Sequence, residues 1–266
     1  MPNRRNVFFF YKPSETKNQQ VKLLVNLAEK HGYTVVDDST KAHIIASIGG
    51  DGTFLQAVRK TGFREDCLYT GINDTDTPVL YPDFYIEETD KILDAMTNEN
   101  IEVRRYPTIK ATIDGHTSFY CLNECTVRSS LIKTFVMDVY IDDLHLETFR
   151  GDGMIISTPT GSTGYSKSVN GAVIDPLLPC LQVSEAASLN NSSYRTLGSS
   201  FILSGERKLT LEIVQDGNDY PEIGMDNEAL SIQHINKIEV ELGDRVIKTV
   251  KLKDNSFWHK VHRKFL

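Results

Sequence analysis

Ile44-Ile45-Ala46-Ser47-Ile48-Gly49-Gly50-Asp51-Gly52-Thr53-Phe54-Leu55 passes from a near-continuous apolar run through three glycines into a helical pattern. Ile44 to Ile48 suits a strand buried on both faces, and Phe54 to Lys60 reads as a helix. A strand that enters a helix through a tight turn is the repeating unit of an α/β sheet. Upstream, Asn6 to Tyr11 is a second apolar strand. The helix after it begins near Thr16, where Thr16 and Gln19 have capping-box spacing. Val21, Leu24, Val25 and Ala28 make one apolar stripe along it, and Gly32 supplies the stop. Tyr33 to Val36 and Leu68 to Ile72 read as strands, and Glu87 to Thr97 as a helix with acidic residues in its first turn. Repeated strand–helix–strand units imply a mostly parallel sheet covered by helices.

Beyond residue 100 the apolar period changes from 3.6 to 2. Ile109, Ala111 and Ile113 alternate with polar neighbours, as do Phe135, Met137, Val139 and Ile141. Leu209, Leu211 and Ile213 repeat the pattern, followed by Ile238, Val240 and Leu242. Such strands are half-buried and antiparallel. The expected organisation is an α/β domain over 1–100 and a β-rich, sandwich-like domain over 101–249.

Lys plus Arg total 29 against 36 for Asp plus Glu, a formal charge of −7. Long-range attraction to nucleic acid needs a basic excess, so DNA and RNA are set aside as partners. Hydrophobic residues at 40% are too many for a disordered chain. Cys67, Cys121, Cys125 and Cys180 form no CxxC pair, and free thiols in a reducing cytoplasm are expected rather than a structural zinc. Met1 to Arg5 leads into only five apolar or aromatic residues, too few for a secretory leader, and no run approaches the roughly 20 residues of a bilayer span.

Eight of the 17 glycines lie in two windows, 49–52 and 151–171. In the first, glycine permits positive φ and close approach of a phosphate, and the helix amino terminus adds N–H groups and partial positive charge. An aspartate there would repel an anion unless it grips a metal ion or takes a proton from an attacking hydroxyl. Asp51 is therefore the most informative residue. The bland reading makes it the cap of a strand-to-helix turn. The turn is neither a Walker loop nor a Gly-x-Gly-x-x-Gly fingerprint. The second window runs from Arg150-Gly151-Asp152 through Thr158-Pro159-Thr160-Gly161-Ser162-Thr163-Gly164-Tyr165-Ser166-Lys167-Ser168. Its hydroxyls and amides suit the reading of base and sugar edges, and Tyr165 suits stacking on a purine. As a surface loop it would be unremarked, but Met154 to Ile156 and Ala172 to Ile174 hold it at both ends.

Gly49-Gly50-Asp51-Gly52-Thr53, then Asn123-Glu124, then Thr158 to Ser166, resembles the NAD kinase family in order and spacing over nearly the whole chain, including Ala187-Ser188-Leu189-Asn190 and a closing Phe257-Trp258. The first motif alone is shared with diacylglycerol and sphingosine kinases and with 6-phosphofructokinases. The resemblance implies the NAD kinase/diacylglycerol kinase-like fold, with the tail, about 250–266, returning to the first domain. It implies that Asp51 activates the 2′-hydroxyl of the adenosine ribose of NAD, while Gly49, Gly50, Gly52 and Thr53 accommodate phosphates of ATP. Asn123 and Glu124 would contact adenosine and ribose. Thr163, Tyr165 and Ser168 would surround the adenine, and Gly164, Ser166 and Lys167 would belong to the same NAD-binding set. Asp152 and the Ala187 backbone would meet the nicotinamide end, with Arg150 nearby. Magnesium would be held mainly by phosphates, with no dedicated protein site. ATP or polyphosphate would be the donor, and a homodimer or homotetramer in the cytoplasm the expected assembly, with no membrane partner.

One segment departs from the family pattern. Gly71-Ile72-Asn73 usually leads into Gly-x-Leu-Gly-Phe; here it leads into Asp74-Thr75-Asp76-Thr77-Pro78-Val79-Leu80-Tyr81, which removes positive-φ freedom and adds charge. Asp175 also stands where histidine is common. These changes suggest a divergent branch, a second paralogue. The competing readings are a lipid kinase, which needs a basic amphipathic surface, and a non-catalytic dinucleotide sensor. The terminal basic cluster, Lys251 to Lys264, is read as a solvated face or a subunit contact.

Overall fold

Asn6–Tyr11 lies between two parallel neighbours, Thr34–Val35 and Ile44–Ile48, and Ile44–Ile48 pairs in turn with Leu68–Asn73. The last of these is flanked, also in parallel, by Phe84–Tyr85 and by Thr249 of the strand Lys237–Leu252. The computed structural model describes residues 5–97, 100–217, 220–230 and 233–266. Residues 1–4, before the first strand, and 98–99, beside the expected domain boundary, lie outside them. The chain divides into two units, Met1–Tyr106 with Arg245–Leu266, and Pro107–Asp244. The expected boundaries near 100 and 250 are each displaced by several residues. The strands Ile101–Ile113 and Lys237–Leu252 run unbroken through both crossing points, where the sequence shows only a change of period.

In the first unit the apolar strands are buried because helices cover them. Helix Glu15–Lys30 lays Val21 and Leu24 on Ile48, Ile72 and Phe84. Its cap is Ser14, whose hydroxyl accepts the Lys17 N–H at 3.2 Å, rather than Thr16. The helix after Ile44–Ile48 spans Asp51–Lys60 and so starts three residues earlier than the apolar pattern announces. Its first turn, Asp51-Gly52-Thr53, is polar, which hides it from a hydrophobic period. Helix Thr89–Thr97 begins two residues later than expected. On the Asp51–Lys60 side, Phe54 stacks on Tyr81 with centroids 4.8 Å apart and planes 6° apart, and meets Tyr69 edge-on. The tail supplies the half-strand ending at Leu252 and a helix, Phe257–Phe265, capped by Ser256.

The second unit is built from two antiparallel sheets. One runs in the order Phe201–Ser204, Cys180–Ala186, Gly153–Ser157, Glu124–Arg128, Glu222–Met225, Glu228–Ala229. The other contains Leu144–Gly151, Phe135–Ile141 and Leu209–Ile213, with the opening half of Lys237–Leu252 and the hairpin of Ile101–Ile113 with Thr117–Cys121. Phe135, Met137 and Val139 share one core with Cys125, Val127, Met154, Ile156, Leu181 and Leu211, all fully shielded. Each large apolar side chain removed from water there contributes about 1.5–3 kcal/mol. Cys121 and Cys125 belong to that core, and all four cysteines are buried free thiols. No described helix is long and apolar enough to cross a membrane.

Candidate functional site

Gly49 follows the strand at φ 141°, and a Cβ there would overlap the Thr53 hydroxyl, so the turn demands glycine. Gly50 is the helix cap; it has no side chain to close the turn, and its carbonyl accepts the N–H groups of Thr53 and Phe54. Asp51 is the first helical residue and caps nothing. Its Oδ1 instead accepts the backbone N–H groups of Leu80 and Tyr81, both at 2.8 Å, and its Oδ2 pairs with the Lys264 ammonium at 2.7 Å. At Gly52 a Cβ would meet no protein atom within 4 Å, so there is room beside this residue for a side chain.

The 74–81 segment does more than replace a glycine loop. Asn73 is buried and donates to the carbonyls of Thr75 at 2.6 Å and Thr77 at 2.9 Å. Asp74 is neutralised by Lys17 at 2.8 Å. No residue from 74 to 81 takes positive φ, so the segment needs no glycine. Pro82 then packs where a Cβ on Gly71 would stand, and this holds the two donating N–H groups over Asp51.

The terminal basic cluster is a solvated face only in part: Lys253 and Arg263 are exposed, but Lys251 and Lys260 are not. Lys251 and Lys260 are 1% and 2% exposed, and both face Asp83. Lys260 also donates to the carbonyls of Leu80 at 2.7 Å and Pro82 at 3.0 Å, and Lys251 to that of Tyr81. Burial and the neighbouring Lys251 charge push the Lys260 amine well below the ordinary lysine value. Burial alone would raise the Asp83 carboxyl, but the Lys251 and Lys260 ammoniums hold it below its usual value.

In the second unit, Asn123-Glu124 opens a strand beside the end of Gly153–Ser157, with Glu124 opposite Ser157. The Thr158–Gly164 turn therefore leaves its strand alongside them. Thr158 N–H donates to Asn123 O at 2.8 Å, and the Thr158 and Thr160 hydroxyls donate to Leu122 O at 2.6 and 3.2 Å. A Cβ on Gly161 would overlap the Asn123 carbonyl, and one on Gly164 would press on the Glu124 carboxyl. The hydroxyl protons of this turn are thus largely given to its own backbone, and its hydroxyl oxygens keep lone pairs to accept with. Ser162 donates to Pro159 O at 2.6 Å and Thr163 to Thr160 O at 3.0 Å. Ser166 is fully shielded and bonds Ser184 and Gln182, so it supports the turn from inside. Lys167 and Ser168 are exposed and Tyr165 is half-buried.

Glu124 is 8% exposed, and its Oε2 has no hydrogen-bond partner among the described residues. Burial, then the nearby Asp226 charge, pushes its carboxyl up to about 8, against an opposing hydrogen bond from the Tyr165 N–H. At neutral pH it is chiefly a neutral acid able to donate. Asp226, at φ 54°, clamps the turn by accepting the N–H groups of Leu122, Asn123 and Glu124 at 3.1, 2.7 and 3.2 Å. Arg150 stacks over Tyr194 at 4.4 Å, with a buried Nη1 lacking a partner among the described residues. Asp152 is exposed beside Ala186, and Ala187 is exposed at φ 48°, a conformation uncommon for residues with a side chain.

Residues 122–252 match the family model for the ATP-NAD kinase C-terminal domain. The chain is 66% identical over 266 residues to NAD kinase 2 of Bacillus licheniformis, covering all of both chains. The chain belongs to the NAD kinase family. Two solved structures share the fold of this NAD kinase family member at low identity. One is an NAD kinase from Archaeoglobus fulgidus in complex with ATP, at TM-score 0.76 and 21% identity, covering 97% of this chain and 98% of that one. The other is yeast NADH kinase complexed with NADH, at TM-score 0.78 and 17% identity, covering 98% and 91%. Four residues that shape the site of this family member escaped sequence reasoning: Asp83, Asp226, Lys260 and Lys264. The signal available for the lysines was their i, i+4 spacing in the closing helix, which puts both on one face.

Proposed function

We propose that the chain is a NAD kinase, transferring the terminal phosphoryl group of ATP or polyphosphate to the 2′-hydroxyl of the adenosine ribose of NAD. The observation that carries this reading is the state of Asp51. It stands in a glycine turn at a helix amino terminus, yet its carboxylate is anchored by Leu80, Tyr81 and Lys264 instead of capping the helix. A carboxylate held in this way suits a group that orients a hydroxyl and takes its proton. With ATP, the ribose oxygen bonds to the γ-phosphorus, the bond from that phosphorus to the ADP oxygen breaks, and the hydroxyl proton passes to Asp51. Gly49, Gly50, Gly52 and Thr53 would hold phosphates at the helix amino terminus. Asn123 and Glu124 would bind the adenosine ribose, Thr163, Gly164 and Tyr165 the adenine, and Arg150, Asp152 and the Ala187 backbone the nicotinamide end. The first unit on this reading supplies phosphate chemistry and the second supplies dinucleotide recognition.

Among the described residues no three His, Cys, Asp or Glu side chains converge as a metal cage would. Magnesium fits this site as an ion carried on the phosphate oxygens, where it would neutralise their charge. A cytoplasmic homodimer or homotetramer is the assembly proposed. The test is incubation of the purified chain with NAD, magnesium and either ATP or polyphosphate, followed by enzymatic assay of NADP. NAD binding with no NADP formed from either donor would overturn the reading in favour of a sensor.

A further inference from the structure

Asp51 is held by the amides of Leu80 and Tyr81 and by one group of the carboxy-terminal helix, Lys264. An ionised carboxylate has about four acceptor positions, two on each oxygen. On Asp51, both positions of Oδ1 are taken, by the N–H groups of Leu80 and Tyr81 at 2.8 Å. One position of Oδ2 is taken by Lys264 at 2.7 Å. One acceptor position is left. The Lys264 and Asp51 side chains are 29% and 21% exposed, so the pair is within reach of solvent rather than sealed in the core.

The peptide that supplies the Tyr81 N–H is itself held from behind through its Leu80 carbonyl, and the two peptides after it are held in the same way. The carbonyls of Leu80, Tyr81 and Pro82 accept from Lys260, and that of Tyr81 also from Lys251. On the Leu80–Tyr81 peptide, the Lys260 donor on the carbonyl side and the Asp51 carboxylate on the amide side polarise the group in one direction, which strengthens the Tyr81 N–H as a donor. Lys260 and Lys264 lie one turn apart on the helix Phe257–Phe265. A single helix face therefore grips both the backbone that orients Asp51 and Asp51 itself.

We propose that Lys264 is a positioning residue for phosphoryl transfer: by occupying one side of Oδ2 it fixes the direction in which Asp51 receives the substrate hydroxyl. This rests on the reading of Asp51 given above. Lys264 acts through Asp51, so its removal lowers the rate of the chemical step without weakening the hold on the dinucleotide. Replacing it leaves Oδ2 able to rotate toward water or toward the helix N–H groups, and the near-attack geometry is lost.

The experiment compares NADP formation by the full chain and by Lys264→Met, Lys264→Arg, Asp51→Asn and the Asp51→Asn/Lys264→Met double variant. Lys264→Met is expected to lower kcat by roughly tenfold or more, with KM for NAD changed by less than about twofold. Lys264→Arg, which keeps a cation in reach of Oδ2, is expected to recover most of that loss. Because both residues act as one unit, the double variant is expected to match Asp51→Asn alone. A wild-type kcat in Lys264→Met would overturn the proposal. So would a loss in the Asp51→Asn background as large as in the wild type, which would place Lys264 elsewhere in the reaction. Failure of the unmodified chain to make NADP would instead overturn the functional reading itself.

Discussion

Lys260 and Asp83 form an ion pair shut away from solvent, with side-chain exposures of 2% and 0%. Lys251 stands 3.6 Å from the same carboxylate, so two cations share one anion in the interior. Burial of charge on this scale is costly unless every member is paired. The pair joins the tail helix to the 80–83 segment that orients Asp51.

Lys260→Met strands Asp83 with a single, longer ion pair and leaves the carbonyls of Leu80 and Pro82 short of a donor. The expected loss is about 3–5 kcal/mol of unfolding free energy, read from urea denaturation. Lys264→Met, at a partly exposed pair, is expected to cost less than about 1 kcal/mol in the same measurement. Equal losses in the two variants would contradict the assignment of Lys260 to structure and Lys264 to the site.

Gly52→Ala separates steric need from phosphate access. No protein atom would meet the added methyl, and alanine favours a helix, so stability should hold or rise by up to about 1 kcal/mol. Turnover should nevertheless fall by roughly tenfold or more, because the methyl stands where a phosphate approaches the backbone. Unchanged kinetics would show that the phosphates bind elsewhere.

Asp51→Asn keeps the size of the side chain and removes its capacity to accept a proton. NADP formation should drop by about two orders of magnitude or more, while calorimetry should find NAD binding largely retained. Near-normal turnover would rule out the role.

Glu124 predicts a pH dependence of stability. Its carboxyl is raised to about 8 in the folded chain, above the ordinary value of 4.5. Its contribution is therefore complete below the ordinary value and is lost as pH climbs toward the raised one, because the unfolded chain releases the proton first. Unfolding free energies from urea denaturation at about pH 5 and about pH 8.5 should differ by less in Glu124→Gln than in the wild type, by on the order of 1–3 kcal/mol. The same decline in both proteins would show that this carboxyl is not the source.

Much of the fold was legible because its signals are local. The strand–glycine–helix unit at 44–60, the stripe of Val21 and Leu24, and the alternation of Phe135, Met137 and Val139 each occupy contiguous residues and reflect one period of burial. Element edges were less legible where polar function overrides that period, as at Asp51, which begins a helix whose apolar face starts only at Phe54. The hydroxyls of Thr158 to Thr163 were legible as a motif, but their bonds to the turn's own backbone were not, since residue type does not say which acceptor a hydroxyl proton reaches.

By itself the sequence determined the two architectures, the position of Asp51 in a phosphate-type turn, and the pairing of that turn with the Asn123-Glu124 and Thr158–Ser166 motifs. Only the tertiary structure decided how Asp51 is held and how Asn123-Glu124 is clamped. The donors to Asp51 come from 29, 30 and 213 positions away, and the acceptor for the Asn123 N–H from 103 positions away. Hydrogen bonds act over about 3 Å in space whatever the separation along the chain, and no local pattern records which distant lysine or aspartate folding brings into that range.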